Sequence, residues 1–237
     1  MNASTPSPAR IRALLVFLAV MLLGILIKGL LDQVSWRYSG PMTLAIVLSL
    51  LLPYYLRVRG DGPSALGLVP LRSAKQWLLL IPQTLLAFLC VLATMVAIGL
   101  AAEAVGITVS DAEAQRANTR FGELKGNTPL YLSWLAILWF AGPAEELYFR
   151  GIMIHQLREG LGRSRAATVL SVVLPALVFG VGHLYYQGLR GLIGTAAIGL
   201  VLGTLFLAYR RNLWPLMVAH ASVNSLSFTA LYFDLDI

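Results

Sequence analysis

The chain has 237 residues, 58% of them apolar and only 12% charged, with a mean hydropathy of +0.76. A soluble domain keeps about a quarter of its residues charged, so the composition excludes a soluble fold. The net charge of +7 invites a nucleic-acid partner, but basic residues collect in the cytoplasmic loops of membrane proteins, and that explanation is tested first.

Residues 1–9 are polar, carry two prolines and are expected to be disordered. The first apolar run, Ile11 to Leu31, is too long for a cleaved signal peptide and reads as a span, with Lys28 snorkelling near its end. Met42 to Leu56 is a second, shorter span. A connector rich in Gly, Pro and basic residues leads to a third, Trp77 to Ala102. Glu103 to Thr128 has no helix-length apolar run and reads as a loop with one surface helix. Pro129 to about Leu157 is the fourth span. Ala166 to Tyr186 and Leu189 to Tyr209 are the fifth and sixth; Gly199 and Gly203 in the sixth have the GxxxG spacing of close helix contacts. Asn212 caps the seventh, Leu213 to Phe233.

The expected fold is an all-α, polytopic transmembrane bundle of about seven spans, six to eight. It is one integrated membrane domain, with a three-span region over 1–128 and a four-span core over 129–237. The single cysteine, Cys90, has no intrachain partner. With a cytoplasmic N-terminus, six basic residues (Lys28, Arg37, Arg116, Arg120, Lys125 and Arg190) fall on the far side. The other twelve of the eighteen fall on the near side, among them Arg10, Arg12, Arg57, Arg59, Arg210 and Arg211. The basic excess is topology, and no nucleic-acid partner is expected. The expected setting is a bacterial plasma membrane, with lipid as one partner. A cytoplasmic entrance to any site is expected from the same loops.

The fourth span carries an anomaly, Glu145 and Glu146 followed by Arg150, in a stretch otherwise apolar enough for a bilayer. A charge at the bilayer centre costs about 2.5–3.5 kcal/mol on insertion scales, so such residues usually have a partner and a task. Glu146 and Arg150 stack at i,i+4 with the acid first, the favourable order. Glu145 is rotated about 100° away, so the two carboxylates are expected to serve different partners. Pro143 is expected to kink the span.

Two other spans hold polar groups, Phe179 and His183 in the fifth and His220 and Asn224, one turn apart, in the seventh. Counting 1.5 Å per residue puts Glu145 about 18 Å from the end of its span near Leu157, and His183, His220 and Asn224 about 25, 12 and 18 Å from the starts of theirs, values that straddle the middle of a bilayer core about 30 Å thick. An isolated carboxylate in a low dielectric becomes a competent base toward water. Histidines and an asparagine amide can donate to the oxygen of a carbonyl under attack. These are the parts for hydrolysing an amide without a covalent intermediate. Zinc held by Glu145, His183 and His220 is the rival chemistry; the missing HExxH spacing weighs against it, and no cofactor is expected.

Glu145-Glu146-x-x-x-Arg150, Phe179-x-x-x-His183 and His220-x-x-x-Asn224, in that order and in separate spans, resemble the triple signature of the CAAX protease and bacteriocin-processing (CPBP, Abi) family of intramembrane endopeptidases. Phe149-Arg150-Gly151 resembles it too, and the likeness covers about Leu130 to Phe233. The resemblance implies a metal-independent protease in which Glu145 activates water, His183 helps hold it, and His220 and Asn224 form the oxyanion site. Glu146, Arg150 and Phe179 would be supporting residues. The implied substrate is a protein or peptide, membrane-anchored or not; eukaryotic members trim prenylated proteins, and bacterial members include immunity proteins.

Two other classes fit buried Glu, His and Arg: a non-catalytic immunity or binding protein, and a proton-coupled transporter. The sequence has no internal repeat of the usual transporter kind. His155 is expected at the membrane interface, and Trp134, Trp139, Tyr185 and Tyr186 as packing or belt residues.

Overall fold

The computed structural model describes residues 7–107 and 111–235; the expectation for 1–6 lies outside them. Its regular structure is helical, with no strand among the described residues. The helices are α1 (Pro8–Ser35), α2 (Ser39–Pro53), α3 (Ala74–Ala104), α4 (Asp111–Phe121), α5 (Thr128–Glu146), α6 (Ile154–Leu161), α7 (Arg165–Ala208) and α8 (Trp214–Phe233). Pro8 opens α1 at the first position, where proline's missing N–H costs nothing, so residues 8 and 9 are helical rather than disordered.

Five helices, α1, α2 with its extension to Val58, α3, α7 and α8, are long and apolar enough to cross a membrane. The chain is an integral membrane protein by that measure. The helices keep polar backbone groups bonded internally, as lipid demands, and leave many leucines and valines on their outer faces, among them Leu22, Leu78 and Val96.

The 44 residues of α7 do not run straight. Gly188 (φ 64°, ψ −159°) lies in a region that only glycine visits readily, and the chain reverses there. The arms over 165–187 and 189–208 pack antiparallel. A Cβ on Gly199 would stand 2.9 Å from the Ala176 Cα, and one on Gly203 would stand 2.8 Å from Val172 Cγ1. These are the fifth and sixth expected segments, and the GxxxG glycines sit at their contact.

The fourth expected segment is three consecutive helical pieces. α5 runs through Pro143, a π-helical turn covers Leu147–Met153, and α6 continues to Leu161. A π turn inserts an extra residue into the helical ladder and recurs at functional sites; this one carries Arg150. The Asn127 side chain accepts from the Leu130 N–H (3.3 Å), capping α5. Asn212 accepts from the Trp214 N–H (3.2 Å) at the start of α8.

α4 is the expected surface helix. It packs back on the bundle through Phe121, which meets Trp134 and Phe228 edge-on, and the Phe121 carbonyl accepts from Trp134 Nε1 at 2.8 Å. Lys28, expected to snorkel near the end of its span, has two partners within the protein. It donates to Asp32 (2.5 Å) on its own helix and to the Tyr185 hydroxyl (2.6 Å) on α7, an anchor that α1 read by itself does not reveal. The main core is continuous from Phe17 through Ile152 and Leu202 to Val223, so both sequence regions build one interior.

Candidate active site

The site exists because α5 and α8 approach closely. Gly142 presents no side chain where Ala221 passes; a Cβ there would lie 3.2 Å from the Ala221 nitrogen. His220, the residue before Ala221, is thereby brought against both glutamates. Gly151, next to Arg150, also admits a close neighbour, since a Cβ there would stand 2.6 Å from the Leu66 carbonyl oxygen.

Glu146 is fully buried, and one of its oxygens, Oε1, serves two donors. Arg150 Nη1 donates to it at 3.0 Å and His220 Nδ1 at 2.7 Å. Arg150, 2% exposed, also donates from Nη2 to the Gly199 carbonyl (3.4 Å), tying the π turn to the second arm of α7. The other edge of the same imidazole faces Glu145: His220 Nε2 lies 3.5 Å from Glu145 Oε2.

The two carboxylates therefore share a partner. A rotation of about 100° separates their side chains on one helix, but an imidazole carries nitrogens on two edges, and a ring arriving from another helix spans them. Guanidinium, carboxylate, imidazole and carboxylate form one chain: Arg150, Glu146, His220, Glu145.

Glu145, His183, His220 and Asn224 all line one cavity of about 540 Å³, whereas Glu146 and Arg150 stand behind its wall. Glu145 keeps 23% of its side-chain surface accessible, against none for Glu146. His183 Nδ1 lies 2.9 Å from the Phe179 carbonyl, which only accepts, so Nδ1 carries a proton, and in the neutral ring Nε2 is the acceptor. Phe179 sits among the site residues. Its ring centroid is 5.0 Å from the Arg150 guanidinium, 4.7 Å from the His183 ring and 6.2 Å from the His220 ring. It is a spacer that keeps the two histidines apart, with a cation–π contact to Arg150.

Among the described residues no three His, Cys, Asp or Glu side chains are grouped closely enough to hold a metal ion. Glu145 and His220 approach each other, but His220 Nδ1 is committed to Glu146 and His183 Nδ1 to a backbone carbonyl.

A family model described as Rce1-like, the type II CAAX prenyl endopeptidases, matches over the stretch that contains all of these side chains. Residues 127–226 match the Rce1-like family. The matched stretch begins at the Asn127 cap of α5 and runs past Asn224 in α8, so it takes in both arms of α7. It is similar to a family of proteases, and it lies in a chain of membrane-length apolar helices. No curated protein and no solved structure matches the chain.

Beyond the matched stretch the structure adds what sequence reasoning missed. Arg37 and Arg120 line the cavity with Glu145, as does Arg190 from within the region. All three belong to the six basic residues expected on the side away from the N-terminus, and none of the other twelve lines it. The loops counted as cytoplasmic contribute no basic residue to the cavity wall, so they lend the expected cytoplasmic entrance no support. His155 is buried at the loop end, with Nε2 3.6 Å from both Asp61 and Glu159 and Nδ1 3.2 Å from Arg211. Trp139 is half exposed on the outer face, Trp134 and Tyr185 are hydrogen-bonded packing residues, and Tyr186 lines the cavity.

Proposed function

We propose that the protein is an intramembrane endopeptidase in which Glu145 activates the attacking water. One observation carries this reading: a carboxylate that faces an imidazole across 3.5 Å in a cavity walled by membrane helices, with a second carboxylate fixing the imidazole from behind. The match to a protease family over the same residues supports it.

In the proposed reaction Glu145 takes a proton from water as the oxygen attacks the peptide carbonyl carbon. His183 Nε2, left as an acceptor by the bond at Nδ1, receives the water's other hydrogen and orients it. The carbonyl π bond opens to an oxyanion that the Asn224 amide and His220 Nε2 stabilise by donation. For His220 to donate from Nε2 while Nδ1 stays on Glu146, the ring carries both protons, and a carboxylate faces each of its nitrogens. The proton on Glu145 then passes to the amide nitrogen, the C–N bond breaks, and an acid and an amine leave. Arg150 and Glu146 act through His220 and touch no reacting atom.

The reading takes no metal and no other cofactor, so exhaustive chelation should leave cleavage unchanged. It also takes the N-terminus as cytoplasmic and the chain as crossing the membrane seven times: α1, α2, α3, the α5–α6 run, the two arms of α7, and α8. The decisive screen compares peptides released from membranes holding the wild type with those from Glu145→Gln. Peptides present only with the wild type support the proposal. Identical peptide sets, with a phenotype that survives the substitution, would replace it by a binding role, and proton-coupled uptake into liposomes would replace it by transport.

A further inference from the structure

Three guanidinium groups line the cavity that holds Glu145, and each arrives from a different stretch of chain. Arg37 precedes α2, Arg120 lies near the end of α4, and Arg190 follows the reversal at Gly188 by two residues. Each is seated against a glycine. A Cβ on Gly122 would stand 3.4 Å from Arg37 Nη2, one on Gly40 3.3 Å from Arg120 Nη2, and one on Gly99 3.2 Å from Arg190 Nη2.

Arg120 is buried, only 6% exposed. Its Nη1 donates to the Trp36 carbonyl (3.0 Å) and the Tyr185 hydroxyl (2.6 Å), and its guanidinium carbon lies 4.7 Å from the Tyr186 ring centroid. These neutral partners hold the group without neutralising it. Among the described side chains, none of the three arginines forms an ion pair, and Glu145 is the one acidic residue lining the cavity. Cations withdrawn from water and left without a counter-charge are costly in a membrane, and a bound anion relieves that cost. The planar guanidinium suits a carboxylate, which it can grip through two parallel hydrogen bonds.

We propose that Arg37, Arg120 and Arg190 form a subsite for a carboxylate of the peptide substrate, bound in the same cavity as the bond presented to Glu145. This rests on the protease reading. A peptide is favoured over a lipid head group because Arg120 is buried behind Trp36 and Tyr185, inside the cavity that holds the cleavage centre. The carboxylate is either the chain's free C-terminus or an acidic side chain, and the two are separable by experiment.

The test uses the full chain carrying Glu145→Gln, in neutral-lipid nanodiscs, with three dansyl peptides of one apolar sequence. One ends in a free carboxylate, one in an amide, and one in an amide with a single glutamate near the end. The free-acid form should bind about tenfold more tightly than the plain amide, as expected for a charge-assisted contact. Equal tightness of the glutamate form would assign any peptide carboxylate; weak binding of it would assign the terminus alone.

Arg37→Gln and Arg190→Gln, both half-buried, should each reduce the acid-over-amide ratio while leaving the amide's affinity unchanged; Arg120→Lys checks the buried position without removing its charge. Equal affinity for acid and amide, no measurable binding of any form, or arginine variants that weaken both forms alike would overturn the subsite. So would an acid preference that vanishes when phosphatidylglycerol is added and competes at the arginines, which would give them to lipid. Because binding is read on Glu145→Gln, it does not depend on turnover. Conversely, wild-type protein that cleaves amide and acid forms equally well would overturn the subsite and leave the protease reading standing.

Discussion

At the scale of single residues, the two adjacent glutamates differ in what lies around them. Glu145 faces the cavity and touches one imidazole edge, whereas Glu146 is enclosed and receives both Arg150 and His220 on one oxygen. Removing charge from each should have separable effects. Glu145→Gln should lower cleavage by at least about a hundredfold, the scale of general-base catalysis, with little change in thermal stability. Glu146→Gln should lose activity and also stability, by about 3–5 kcal/mol, because it strands a buried guanidinium. Denaturation in detergent, read beside peptide cleavage, checks both. The Glu146–Arg150 pair was legible from its i,i+4 spacing, and the separate exposure of Glu145 from its rotation on the helix. The shared imidazole was not. Helical spacing says where side chains leave one element, and nothing in it reports that a ring on α8 presents a nitrogen to each.

At the scale of elements, the site depends on two glycines that carry no chemistry. Gly142 lets α8 approach α5, so Gly142→Leu should push His220 away from both carboxylates. Activity should fall by about a hundredfold, since the base loses its partner without any polar residue being changed. Gly188 reverses α7 in a conformation closed to side chains, and Gly188→Ala should cost about 1–3 kcal/mol, read as a lower unfolding midpoint in detergent. The hairpin of α7 was expected as two spans, Ala166 to Tyr186 and Leu189 to Tyr209, and the GxxxG glycines of the second lie at their contact. The π turn at Leu147–Met153 was not expected. Its residues are as apolar as their neighbours apart from Arg150, and its contacts, Gly151 on Leu66 and Arg150 on the Gly199 carbonyl, join segments far apart in sequence.

At the scale of the whole molecule, the membrane helices and the polar cavity were legible because lipid forbids unpaired charge and permits only bonded backbone. The arginines of the cavity were not, since loop residues far apart in sequence read as topology until the fold brings them together. The basic loops add no residue to the cavity wall, and the proposed seven-span topology puts the two on opposite faces, which has a direct test. In a Cys90→Ala background, cysteines at Val58 and Gln187, both exposed, should react with a membrane-impermeant maleimide from opposite faces of sealed vesicles. Labelling of both from one face would contradict the arrangement.

The most direct measurement of the central claim is peptide cleavage by purified protein in proteoliposomes, wild type beside Glu145→Gln, each with and without exhaustive chelation. The account predicts turnover by the wild type that chelation leaves intact, and loss of at least about a hundredfold on the substitution. Turnover by Glu145→Gln within roughly threefold of the wild type, or wild-type turnover abolished by chelation and restored by zinc, would contradict it.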